Sequence, residues 1–320
     1  MNRTGTSLKQ TTIEREIVLK GIGVHGGREV SMVLHPAREN SGYTFYVNKG
    51  DAVARVPGDF RAVSNVTLCT VVGNDNGQTV STVEHLLAAL RGLNIDNVDV
   101  ELDGEEIPIM DGSAEPFVDA IDEAGVRELD ANRRYIKVLR PVRVEDGDAW
   151  GELHPYDGFR VDVEIDFKTP LIGHQRIDVD VTPRSFVNKL CRARTFGFMK
   201  DVKYLWSVGR ALGASLDNTV ALGDDRIMNP EGLRFPNEFV RHKALDAVGD
   251  LALAGAPILG YFRSSKGGHK LNSAMLHALY ANKDAWTISE RAAEPLHRPT
   301  APRADLAMAF AEPNFAPTRD

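Results

Sequence analysis

Twice along this chain a run of alternating apolar residues gives way to helical spacing, and this doubled pattern limits the fold more than any other feature. In the first half, Ile17 and Leu19, then Val30, Met32 and Leu34, recur at period two around the turn-like His25-Gly26-Gly27. Such alternation predicts a β-hairpin with one buried face. Residues 67–72 and 97–102 read as further strands. Between them a helix should open near Ser81, because Ser81-Thr82-Val83-Glu84 has capping-box spacing, and it should stop at Gly92. A second helix fits residues 113–124, with Pro116 in its first turn and Gly125 as its stop.

After the polar stretch 129–134 the β pattern restarts. Residues 135–144, 149–154 and 159–167 read as strands joined by Asp- and Gly-rich turns. A short helix fits 200–210 and a long one 237–254, from Pro236 to Gly255. A strand over 258–263 and a helix over 271–281 follow. Strands followed by helices, twice, predict an α+β fold of two similar domains, each a β-sheet with helices. The expected division is 1–128, a linker at 129–134, 135–297, and a loosely ordered tail at 298–320. The two halves share no readable sequence identity.

Composition then removes whole classes of function. Two cysteines, Cys69 and Cys191, make neither a disulfide framework nor a C-x-x-C zinc ribbon. No apolar run approaches the ~20 residues of a membrane span, and the N-terminus lacks a signal-peptide core. A cytoplasmic protein is expected. The net charge of -7 argues against a nucleic-acid partner. The cations are nevertheless clustered: six basic residues face one acid between Lys189 and Arg210, and Arg263, Lys266 and Lys270 form a second group. Such patches suit an anionic small molecule; a solvated face balanced by acids elsewhere is the competing reading.

Four segments carry candidate chemistry. His242 and Asp246 are four residues apart on the long helix and so share a face, and Asp250 extends the row. An imidazole and a carboxylate on one face make two prongs for Zn²⁺; an exposed His–Asp pair is the alternative. His85 is a candidate third ligand. Its neighbour Glu84 is then either a base beside a metal or merely the capping-box acid. His269, after Gly267-Gly268 and flanked by lysines, is a candidate general acid or an exposed loop residue. The stretch 191–199 mixes cations, Thr195 and apolar Phe196, Phe198 and Met199, as an edge strand or a site for an anion with a greasy group.

Taken together these segments resemble the UDP-3-O-acyl-N-acetylglucosamine deacetylase family, zinc amidases of lipid A synthesis in Gram-negative bacteria. The resemblance rests on GIGVHGG at 21–27, STVEHLLAAL at 81–90 and IPIMDGSA at 107–114. It continues with ARTFGF at 193–198, LDN at 216–218, RFPNEF at 234–239, HKALD at 242–246 and GGH at 267–269. It covers residues 13–281 in order. It implies helices packed between two sheets and a site in the cleft between domains. His85, His242 and Asp246 would bind Zn²⁺, Glu84 would be the general base, and His269 the general acid oriented by Asp250. Thr195 and Lys243 would serve the oxyanion and substrate. The segment near 196–222 would form an acyl-chain passage that includes Phe196 and Met199. Arg263 and Lys266 are expected to help hold the UDP-linked acylated amino sugar, and a transient membrane-surface contact is expected alongside it. Another zinc hydrolase, and a silent binder of an anionic glycolipid, are the competing readings.

Overall fold

In the computed structural model, which describes residues 8–50 and 52–290, the first hairpin forms as its alternation requires. Ile17–Ile22 runs antiparallel to Glu29–Pro36, with Leu19 opposite Met32, and Val30, Met32 and Leu34 turn into the core. Val98–Leu102 adds antiparallel to Glu29–Pro36. Tyr43–Lys49 then pairs parallel with Val98–Leu102, and Ala52–Pro57 completes a five-stranded sheet. Helix α1 (Glu84–Gly92) is buried along its whole length, while α2 (Glu115–Ala124) buries Phe117, Val118 and Ile121 and touches both α1 and strand Ile17–Ile22.

The second sheet has seven strands around Ile258–Ser265. Ala149–His154 lies antiparallel on one side of that strand and Phe159–Asp166 parallel on the other. Val142–Asp146 and His174–Asp180 extend the two sides. Tyr135–Val138 and Trp286–Ser289 complete it at the start of the central strand. Short helices α3 (Pro183–Lys189) and α4 (Met199–Ser207) follow, with a small parallel pair, Phe196–Phe198 and Val220–Leu222. Helices α5 (Glu238–Ala252) and α6 (His269–Ala281) cover the sheet, and α5 meets α1. Apart from α4, which buries no residue, the helices are thus packed between two sheets, and the expected α+β class holds. Among the described residues no helix is long and apolar enough to cross a membrane.

Contact between α1 and α5 is close because Gly249 allows it. A Cβ there would stand 2.0 Å from the Glu84 carbonyl oxygen, far inside van der Waals contact. Only glycine lets the first turn of α1 press on the middle of α5. That approach sets Glu84 and His85 against the polar row of α5.

Several expected boundaries differ. Residues 129–134, expected as a linker, belong mostly to a strand, since Val126–Asn132 pairs with Lys9–Ile13 and Arg133 is buried. The expected strand 135–144 is two strands, broken at Leu139-Arg140-Pro141, where Pro141 has no N–H to give a ladder. Of 67–72 only the end belongs to a strand, Val71–Gly73; Leu68 has φ +70° and interrupts the rest. The tail expected at 298–320 lies outside the described residues.

Candidate active site

Helix α1 starts at Glu84, not at Ser81. Its N-cap is Val83, with no side-chain cap, and Ser81 Oγ donates instead to the Glu105 carbonyl at 3.1 Å. Thr82 has φ +59°, which turns the chain sharply into the helix. The capping box therefore does not form. Glu84 is freed from a capping role, and its Oε2 accepts from the Thr70 backbone N–H at 3.1 Å.

The rows from α1 and α5 converge. His242 Nε2 is 3.3 Å and His85 Nε2 3.8 Å from Asp246 Oδ1, and the two imidazole rings lie 5.0 Å apart, nearly perpendicular. Ligand atoms of all three residues lie within 4.8 Å of one another, and all three residues are buried. Tetrahedral zinc with ligands at ~2.0–2.1 Å needs ligand atoms about 3.4 Å apart, so the cluster is of the right size. Its chemistry also fits. His242 Nδ1 meets the Ala193 carbonyl at 3.1 Å; as donor there it leaves a lone pair on Nε2. That lone pair faces Asp246 Oδ1, which is buried with no hydrogen-bond partner. Two electron-rich atoms face each other across a gap that a cation would fill.

The electrostatics point the same way. Burial, reinforced by the neighbouring His242, pushes His85 down to about 3, and burial lowers His242 as well. Both imidazoles are neutral, the form that binds metal. Burial works against the Asp246 carboxylate, but the positive charge around it, with Lys243 hydrogen-bonded to it, holds the group well below the usual range. Lys243 Nζ donates to Asp246 Oδ2 at 2.7 Å, which leaves Oδ1 as the free ligand atom.

Beside this cluster sits a second, hydrogen-bonded one. His269, the first residue of α6, meets Asp250 Oδ2 through Nδ1 at 2.8 Å and turns Nε2 toward Glu84 Oε1 at 3.7 Å. Asn272 donates to the same Asp250 oxygen at 2.9 Å, and Thr70 Oγ1 donates to Asp250 Oδ1 at 2.6 Å. Burial raises Glu84 to about 7. Burial opposes the charged form of His269, but Asp250 and Glu84 outweigh it and raise the group to about 9. A carboxyl pushed up and an imidazole pushed up, side by side, are matched to proton transfer near neutrality.

Other expected residues fall into two groups. Phe196 stacks edge-on to Phe239 at 5.0 Å and lies 6.2 Å from the His242 ring, and Met199 stands 46% exposed at the start of α4. Thr195 is half-buried beside Gly112, whose carbonyl accepts its N–H at 2.8 Å. Arg263 and Lys266 are not brought to the cluster. Arg263 lies over Trp150 and pairs with Asp162 and Glu152 at 3.4 and 3.6 Å, and Lys266 pairs with Asp148 and Asp166 at 2.9 and 3.4 Å. Strand alternation sends Arg263 to the sheet face opposite buried Phe262. Of the other basic cluster, Arg194 is buried and spent on Glu231 and Glu238. Thr70 and Asn272 were missed by the sequence reading. Asn272, three residues after His269 on one helix, had a spacing signal; Thr70 had none.

A family profile described as UDP-3-O-acyl N-acetylglycosamine deacetylase matches residues 10–281. Curated relatives carry the name UDP-3-O-acyl-N-acetylglucosamine deacetylase. The Haemophilus influenzae (strain 86-028NP) protein is 48% identical over 281 residues, 87% of this chain and 92% of its own length. That of Vibrio parahaemolyticus is 46% identical over 313 residues, 96% of this chain and 99% of its own length. That of Pasteurella multocida is 47% identical over 293 residues, 90% and 96%. With a match over most of its length and a buried His–His–Asp cluster beside a coupled Glu–His pair, the chain belongs to the UDP-3-O-acyl-N-acetylglucosamine deacetylase family.

Proposed function

We propose that the chain hydrolyses the N-acetyl group of UDP-3-O-(3-hydroxyacyl)-N-acetylglucosamine, releasing acetate and the free amine, as a zinc-dependent step of lipid A biosynthesis in the cytoplasm. The observation that carries the zinc dependence is Asp246 Oδ1, buried and unbonded between His85 and His242. His85, His242 and Asp246 would hold the ion. When bound, Zn²⁺ supplies Lewis-acid activation of water and of the amide carbonyl.

The chain's own residues supply the rest. Glu84, held by the Thr70 N–H, takes a proton from water as its oxygen attacks the acetyl carbon. Lys243 and Thr195 are proposed to steady the negative charge that develops on the carbonyl oxygen. His269 gives its Nε2 proton to the amine nitrogen as the C–N bond breaks, while Asp250 at Nδ1 fixes the ring and its tautomer. Phe196 and Met199 offer apolar surface to the acyl chain. Acetate release from the acylated UDP-sugar by the purified chain, measured together with zinc content, tests the proposal. Turnover that survives complete loss of zinc would overturn the zinc step. No acetate from the zinc-loaded chain would overturn the activity.

A further inference from the structure

We propose that α4 and the loop after it dock on an anionic lipid bilayer. Among the described residues, α4 alone of the α-helices buries no side chain. Val202 and Leu205 are half-buried and mark its inner side. At helical spacing Lys200, Lys203 and Tyr204 then fall on the outer side, with Trp206 on its flank. Lysines and aromatic residues together on an unburied helix suit a place in the headgroup region of a membrane.

The loop extends this surface. The Arg210 N–H donates to the Leu205 carbonyl at 2.8 Å and Trp206 Nε1 to the Ala211 carbonyl at 3.2 Å, so residues 208–211 fold back on the end of α4. The Leu212 and Gly213 N–H groups donate to the His25 and Val24 carbonyls at 3.2 and 3.1 Å, which ties the far end of the loop to the first half of the chain. Tyr204, Trp206, Val208 and Leu212 are nevertheless 68, 55, 50 and 51% exposed. Outside 199–216, no stretch of nine described residues exposes two large apolar side chains. Such clustering marks a surface that is covered in use.

Charge decides what covers it. Between Met199 and Leu216 the cations are Lys200, Lys203 and Arg210, and the one acid is Asp201. None of the three cations forms an ion pair among the described residues; Lys200 lies over the Phe198 ring at 5.2 Å. The whole chain carries a net charge of -7, so an anionic surface repels most of it and attracts this segment. A second copy packed face to face would set the same cations against one another. A bilayer with anionic headgroups meets both features. The headgroups take the lysines, while Tyr204 and Trp206 enter the interface, which suits a ring with a polar tip. Docking draws on neither Phe196 nor Met199 and requires neither zinc nor turnover.

Cosedimentation of the full-length chain with vesicles tests this. One arm uses pure phosphatidylcholine, the other equal parts phosphatidylcholine and phosphatidylglycerol. Binding is expected to the anionic vesicles and should fall with added salt. Lys200→Gln combined with Lys203→Gln should weaken it about tenfold or more, and Trp206→Ser should weaken it too. Neither lysine holds a backbone group, so their variant decides the matter even if Trp206→Ser loosens the loop. Tryptophan emission should shift to the blue on binding, and Trp206→Phe, which leaves Trp150 and Trp286, should lose that shift. Val53→Ser, on the edge strand of the first sheet and 62% exposed in the parent, should bind as the parent does. No preference for anionic vesicles, or an equal loss in Val53→Ser, would overturn the docking surface. A dimer in solution that Trp206→Ser breaks would assign the face to a second copy and overturn it as well.

Discussion

On the proposed mechanism Glu84 and His269 divide one proton transfer between two buried groups, and conservative substitutions would separate that role from metal binding. Glu84→Gln and His269→Gln remove the proton carrier and keep the shape. Each should retain zinc and lose roughly 10²–10⁴-fold in kcat. His85→Ala, by contrast, should lose zinc along with activity. Zinc content and kcat on the same preparations check both, and a fully active Glu84→Gln enzyme would remove Glu84 from the chemistry. Thr70 joins the two carriers, since its N–H holds Glu84 and its hydroxyl holds Asp250. Thr70→Val keeps the N–H and the volume but removes the hydroxyl. It should lower kcat about tenfold or more with little change in KM, whereas Thr70→Ser should recover most of the loss. An equal loss in both variants would mean that packing, not the hydroxyl, matters. At this scale the sequence was informative wherever partners share a helix. His242, Asp246 and Asp250 are spaced by one turn, and that spacing needs no tertiary knowledge. Thr70 was illegible because a chain turn at Leu68 brings it to Asp250, 180 residues away.

Elements decide how firmly those residues are held. The contact of α1 with α5 depends on the missing side chain at Gly249, so Gly249→Ala must push the helices apart or bend one of them. It should cost about 1–3 kcal/mol, the range of overpacked core sites, and should lower activity in the fraction that stays folded. Urea unfolding and kcat measured together check this; a variant with wild-type stability would show that the close approach is not required. On the outer face of the second sheet, Asp162 joins three strands, accepting from Arg176 at 2.7 Å and from Tyr261 at 3.0 Å. Burial opposes its charge, but Arg176 and Tyr261 outweigh burial and lower its pKa. A lowered folded-state pKa stabilises above the unfolded value of about 3.9, and the gain is lost as pH falls through the folded value. Asp162→Asn should therefore cost about 1–3 kcal/mol near neutrality and flatten the loss of stability on the acid side. A series of melts from pH 7 to pH 3 shows whether the difference between the two proteins shrinks as predicted. The element types read from periodicity hold, and the 17–22 and 29–36 hairpin followed directly from it, but strands 43–49, 52–57 and 174–180 and helix 183–189 were not read. Strand neighbours were not legible, because period two says which face is buried and nothing about which strand lies alongside. The parallel pairing of 98–102 with 43–49 is a tertiary arrangement that neither segment's own pattern encodes.

Across the whole molecule, the proposed metal site takes His85 from one half and His242 and Asp246 from the other. That placement was suggested by two separate motifs, but sequence alone left open whether the α5 row faced solvent or core. The long helix is buried on nearly every side, Glu238 and Asp250 included, so apolar periodicity was a poor guide to its faces. The arrangement has a consequence for stability. An ion held by both halves is absent from the unfolded chain, so binding adds RT ln(1 + [L]/Kd) to folding, about 4 kcal/mol at a thousandfold excess over Kd. Removing it restores the unfavourable meeting of Asp246 Oδ1 with the His242 lone pair in a buried site. Chelation should therefore lower Tm by several degrees in the parent chain, and added zinc should restore it. His85→Ala and Asp246→Ala should start from different stabilities, since one opens a small cavity and the other leaves Lys243 without its carboxylate. In both, however, the response to chelator should shrink toward zero. Parallel melts with and without chelator distinguish this from a general loss of stability. A parent chain whose Tm ignores chelation would mean that no metal bridges the two halves.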